Sequence, residues 1–192
     1  MGHHRRWLIR LLLTGLAGVI GCHRTPDQPV PSVPASGMTL TSPDFANGQP
    51  IPRVHAYPGE GDNRPPRLAW SHLPAGTKEL ALIVEDPDAP GPEPWVHDVR
   101  YKIPVNATLF EMELRGAAAD SAARFLSGTN SWGETGWGGP MPPPGAPHRY
   151  FFRLYALDAE LDLQQGLTKA QLLEQIEGHL LGMATLMGTY QR

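Results

Sequence analysis

A chain of 192 residues with 41% hydrophobic and 18% charged residues has enough apolar material for one ordinary domain and too little charge for a disordered one. The formal charge of −3, which becomes −6 once the three arginines ahead of Cys22 are set aside, excludes the concentrated basic face that nucleic acid requires. With 21 Gly and 21 Pro the chain is richer in turns and stiff loops than a helix bundle tolerates, and its single cysteine excludes an internal disulfide.

The first 21 residues read as a leader. Arg5, Arg6 and Arg10 form a basic start, and Leu8 to Ile20 is almost wholly apolar. That run is short for a spanning helix and suits a signal peptide. Gly21 directly before Cys22 resembles a lipobox, which implies acylation of Cys22 and export to a lipid-anchored position in the bacterial envelope. The residue after Cys22 is His23 rather than Asp, which points to the outer membrane in a Gram-negative cell. Residues 22–36 carry Pro26, Pro29, Pro31 and Pro34 and read as an extended tether, with the folded domain expected over 37–192.

Within the domain, Leu80 to Val84 is a continuous apolar run suited to a buried strand, Val96 to Ile103 reads as the next, and Tyr150 to Leu157 is apolar on both faces like a central strand. Thr168 to Gln171 reads as a capping box, and Leu172, Leu173, Ile176, Leu180, Ala184 and Met187 follow at helical spacing. Gly178 and Gly182 each weaken such a helix by about 1 kcal/mol. The expected architecture is mainly β: a two-sheet antiparallel sandwich with a C-terminal helix.

Two segments carry chemistry. Glu85-Asp-Pro-Asp-Ala-Pro90 runs to Trp95-Val-His97, and Gly138-Gly-Pro-Met-Pro-Pro-Pro-Gly-Ala-Pro147 runs into His148-Arg-Tyr150. If strands start there, Trp95 and His97 share one face, as do His148 and Tyr150. These motifs, in this order, resemble the phosphatidylethanolamine-binding protein family, in particular its bacterial YbhB/YbcL-type branch of Raf-kinase-inhibitor-like proteins. Ser42 to Phe45, Leu68 to Trp70, Leu73 to Gly76, and Glu177 to His179 leading to Gly188 to Tyr190 extend the likeness.

The resemblance implies the family's β-sandwich and a small surface pocket for phosphate-like anions or phospholipid head groups. Carried over residue by residue, the pocket uses Asp86, Asp88, Pro90, Trp95, His97, Gly139, Pro142, Pro143, His148 and Tyr150. Both imidazoles are expected to donate to the anion, with a nearby carboxylate favouring their charged forms, and backbone N–H groups beside Gly139 approach it. No cofactor is implied. Three positions depart from the family pattern. Asp98 is expected to face away from the pocket toward solvent, Met141 replaces a glycine that eukaryotic members have, and Arg67 replaces a proline.

Other readings of the same residues stand beside this one. Asp86 and Asp88 can serve as turn residues, and the histidines as structural ones. A calcium loop fails on Pro90 and on the missing glutamate at its twelfth position, and zinc lacks a close-spaced His or Cys pair. Asn106 to Thr108 matches a glycosylation pattern only. Trp132 and Trp137 read as loop-packing anchors and His179 as a capping or packing residue. The expected function is a non-enzymatic binding module. The alternatives are an inhibitor or scaffold of another protein, such as a protease, and a phosphoester or ester hydrolase, which lacks a nucleophile motif.

Overall fold

The computed structural model describes residues 34–106, 110–111 and 125–192. The expected leader, Cys22, most of the tether and most of the Asn106 to Thr108 pattern lie outside the described residues.

Among the described residues, eight strands and one helix follow in chain order: β1 (Thr39–Thr41), β2 (Arg67–Ser71), β3 (Glu79–Asp86), β4 (Trp95–Pro104), β5 (Phe110–Glu111), β6 (Leu126–Ser127), β7 (His148–Leu157), α1 (Lys169–Ile176) and β8 (Leu180–Tyr190). They build two antiparallel sheets, a small one in the order β1-β2-β5 and a large one in the order β6-β4-β3-β7-β8. The mainly β, two-sheet architecture is the one expected.

The large sheet is covered on both faces, which is why β3 is buried at all eight positions and reads as an unbroken apolar run. Leu80, Leu82 and Val84 pack with Leu40, Phe45 and Leu68 between the sheets. Ala81 and Ile83 belong to a second core with Leu172 and Ile176 of α1. On β7 the same alternation sends Tyr150, Phe152 and Leu154 to the first core and Tyr155 and Leu157 to the second.

The capping box forms: Thr168 Oγ1 accepts from the Gln171 N–H, and Gln171 Oε1 accepts from the Thr168 N–H. The helix it starts is shorter than its spacing suggests. It ends at Ile176, a single 3₁₀ turn follows, and Leu180, Ala184 and Met187 lie in strand β8. A register shift at Leu181 turns Leu180 toward the second core while Ala184 faces the first, so the two do not share a side as helical spacing implies. The alternating burial of Gly182, Ala184, Leu186, Gly188 and Tyr190 is the strand signal. His179, just before β8, bonds Asp158 through Nδ1 at 2.8 Å and is half-exposed.

Candidate functional site

The order β4-β3-β7 brings the two motif segments to one end of the large sheet. Asp86 ends β3 opposite Trp95, which starts β4, and His148 starts β7 on the other flank of β3. At this end the register leaves His97 unpaired between Val96, opposite Glu85, and Asp98, opposite Val84. An extra residue of this kind is a β-bulge, and it re-aims the local side chains. Asp98 therefore does not face solvent. It is fully buried, and both its oxygens accept from Arg100 Nε, at 2.8 and 3.0 Å.

A pocket of about 240 Å³ opens between these strand ends. Asp86, Trp95, His97, His148 and Tyr150 form its floor and walls, and Pro90, Pro142 and Pro143 its proline-rich rim. Ala89, Trp132 and Met141 also line it. Trp132 stacks on Tyr57 with centroids 5.0 Å apart and meets Trp95 and His97 edge-on, each at 5.2 Å. Its placement among glycines gave it the appearance of a packing anchor, a description that fits Trp137: buried, stacked on Phe152, and donating from Nε1 to the His55 carbonyl.

Two expected residues do not line the pocket. The carboxylate of Asp88 grips Arg149, accepting from its backbone N–H, Nε and Nη2 at 2.9, 2.9 and 2.7 Å. That pair staples the 87–94 loop to the start of β7, and the Arg149 guanidinium holds the Asp88 carboxyl below its usual range. Gly139 donates its N–H to Asn63 Oδ1 at 2.8 Å, so it is not aimed at a ligand. A Cβ there would stand 2.1 Å from the His55 carbonyl oxygen, so close packing is what demands glycine. Arg67 takes its own local role by binding Asp44 through its backbone and its guanidinium.

Asp86 organises the site. Its Oδ1 accepts the Asp88 N–H at 2.8 Å, and its Oδ2 accepts from His148 Nδ1 at 2.7 Å. His148 is thereby fixed with its proton on Nδ1 and its Nε2 at the far side of the ring. His97 differs from the expected charged donor. Its Nδ1 stands 2.6 Å from the Gly138 carbonyl, which can only accept, so Nδ1 carries the proton. Burial pushes its pKa down to about 4, against the opposing pull of Gly138 and Asp86, so His97 is neutral near pH 7.

Four buried polar side-chain atoms lack a hydrogen-bond partner among the described residues, and two of them, Trp95 Nε1 and the Tyr150 hydroxyl, belong to this pocket. Burial first, and then the nearby Asp86 charge, raise the Tyr150 pKa, so its hydroxyl keeps its proton. Among the described residues, no three His, Cys, Asp or Glu side chains gather as a metal centre would need. A larger cavity of about 660 Å³ beside α1 is lined by Glu93, Thr129, Lys169 and Glu174 and shares no residue with the motif pocket.

Residues 41–191 match the family model for phosphatidylethanolamine-binding proteins. The chain belongs to that family. A protein of Methanothermobacter thermautotrophicus designated UPF0098 is 46% identical over 157 residues, covering 81% of this chain and 99% of its own. The crystal structure of Escherichia coli YbcL, described as a member of the mammalian family, superposes with a TM-score of 0.73 at 30% identity, covering 81% of this chain and 98% of its own. LppC of Mycobacterium tuberculosis, named as a candidate lipoprotein, is 39% identical over 170 residues, covering 87% of this chain and 79% of its own. No helix among the described residues is long and apolar enough to cross a membrane.

Proposed function

We propose that the pocket binds a small oxyanion, phosphate-like or the phosphate of a lipid head group, and holds it without transforming it. The observation that carries this reading is a buried, unpartnered donor, Trp95 Nε1–H, in one pocket with the Asp86–His148 pair and the Tyr150 hydroxyl beside Asp86. An unpaired donor of this kind costs about 1–3 kcal/mol in the folded protein. A bound oxyanion removes that cost, and it gains a further charge-assisted contact whenever His148 carries a second proton on Nε2. Family membership supports a binding role.

NMR titration of the protein with inorganic phosphate, alongside His148→Ala and Trp95→Phe, tests the reading. Saturable shifts at the pocket, weakened in both variants, are expected. Unchanged affinity in both would defeat it.

The same reading places the domain outside the cytoplasm on a lipid attached to Cys22, a proposal that LppC supports as a relative named for that class. Cys22→Ser should abolish labelling by a clickable fatty acid. Equal labelling of the variant would refute the anchor.

A further inference from the structure

The hydrogen-bonding groups of the pocket are of two kinds. Tyr150 O–H and Trp95 Nε1–H are donors without partners among the described residues. His97 is the opposite. With Nδ1–H bound to the Gly138 carbonyl at 2.6 Å and the ring buried, Nε2 holds a lone pair and can only accept. The bond is reinforced by the backbone, because the Gly138 N–H donates to the His97 carbonyl at 2.9 Å. The strap that fixes the ring thus fixes its tautomer.

The charges around His97 agree with an acceptor. From β3 it faces Asp86, and from β7 it faces His148 and Tyr150. The guanidinium of Arg149 at the start of β7 is held by Asp88. Among the described residues the pocket lining contains no lysine or arginine. A dianion there meets the Asp86 carboxylate and a neutral imidazole lone pair, with no permanent cation in the lining to offset either. A monoanion that still carries one proton eases both conflicts: its O–H donates to His97, and its other oxygens accept from Trp95 Nε1–H.

Resting on the oxyanion reading above, we infer that the pocket selects phosphate monoesters in their singly charged, proton-bearing form, with His97 Nε2 accepting the ligand's P–O–H. A phosphodiester and a sulfate ester carry the same single charge and have no such proton. The site therefore discriminates by hydrogen-bond complementarity rather than by charge, since a buried acceptor facing an ester that cannot donate is left unpaired.

The test uses three monovalent probes on the full-length chain: methyl phosphate, methyl sulfate and dimethyl phosphate. A phosphomonoester has a second pKa of about 6, so methyl phosphate is proton-bearing at pH 5 and a dianion at pH 8. At pH 5, methyl phosphate should bind about tenfold more tightly than either of the others, and this ratio should fall toward one by pH 8. Because methyl sulfate does not titrate in this range, it reports pH effects of the protein alone. Binding of all three with equal affinity at pH 5 overturns the inference and leaves the oxyanion function standing. Binding of none overturns the oxyanion function itself. A second readout needs no variant: ¹⁵N spectra of the His97 ring at pH 6 should show one pyrrole-type and one pyridine-type nitrogen, the latter shifting with methyl phosphate. Two pyrrole-type nitrogens would mark an imidazolium and overturn the proposal.

Discussion

Glu85 and Asp86 are neighbours on β3, both buried, and point to opposite faces of the large sheet. Glu85 is held by two permanent cations, Arg153 of β7 and Lys169 at the start of α1. Asp86 is held by a titratable group, His148, and by a backbone N–H of the adjoining loop. One acid locks a helix to a sheet, while the other orients a ring at the mouth of a pocket. Burial alone therefore does not tell a structural carboxylate from a functional one. What separates them is whether the partners are saturated with fixed charge or leave a polar atom turned to open space.

Removing each acid in turn should separate stability from binding. Glu85→Ala leaves Arg153 and Lys169 facing each other without their counter-charge, and breaking a buried pair from one side costs about 3–5 kcal/mol. Both cations retain some exposure, at 18% and 22%, so the lower part of that range is expected. Urea denaturation should show this loss of stability, while the remaining folded protein binds phosphate as before. Equal losses of stability and affinity would erase the contrast between the two faces.

The second expected effect concerns pH. His97 has a folded pKa of about 4 against about 6.5 when unfolded, so between these values the unfolded chain binds the extra proton. Stability is then full above about pH 6.5 and declines as pH falls to about 4, by about 3 kcal/mol. The carboxyls of Asp44 and Asp88, which lie below their usual values, act in a lower window, where stability is lost as pH falls below about 4. Denaturation midpoints at pH 7.5, 6 and 4.5, with the His97 ring followed by NMR, check the sign. A flat profile across that window would show that His97 is not held neutral by burial.

Third in size is Asp86→Asn. The amide keeps one acceptor oxygen for two donors and loses the carboxylate that orients His148, so anion affinity should fall by about 1.5–3 kcal/mol. The sign is the discriminating part. A pocket acting only through its net charge would bind phosphate more tightly once a carboxylate was neutralised.

Most of the sandwich was legible in the sequence because β3 is buried throughout with an unbroken apolar run, and β7 is apolar on both faces from Tyr150 to Leu157 but for Arg153. The site was legible through motif order, since Asp86, His97 and His148 are far apart in the chain and the sheet order alone brings them together. Three features were not. The helix ends earlier than its spacing implies because Leu180, Ala184 and Met187 keep helical intervals, while the period-two burial of β8 depends on pairing with β7. Asp98 was assigned outward by strict alternation, which a single unpaired residue at His97 breaks. The role of Gly139 depended on what a side chain there would strike, here the His55 carbonyl, and no local pattern reveals that.

The smallest expected effect is also the sharpest test of the difference between the two faces. Tyr150→Phe deletes one oxygen and keeps the ring, which is wholly buried and packed against His97 with centroids 5.1 Å apart. On the Glu85 face, deleting a buried polar group breaks bonds and destabilises. Here the hydroxyl lies beside the Asp86 carboxylate without a full hydrogen bond among the described residues, so little internal bonding is lost. Removing a buried donor without a partner also removes its desolvation cost. Stability should therefore stay unchanged or rise by up to about 1 kcal/mol, while phosphate affinity falls by about 1 kcal/mol, roughly five- to tenfold. Thermal melts with and without phosphate measure both quantities on one sample, because a ligand bound only to the folded state raises the melting temperature by an amount that grows with the logarithm of its affinity. The wild type should gain more from phosphate than the variant, and the variant alone should melt no lower. A variant that melts several degrees lower without ligand would mean that the hydroxyl is part of the scaffold, and that the pocket's unpaired donors are fewer than two.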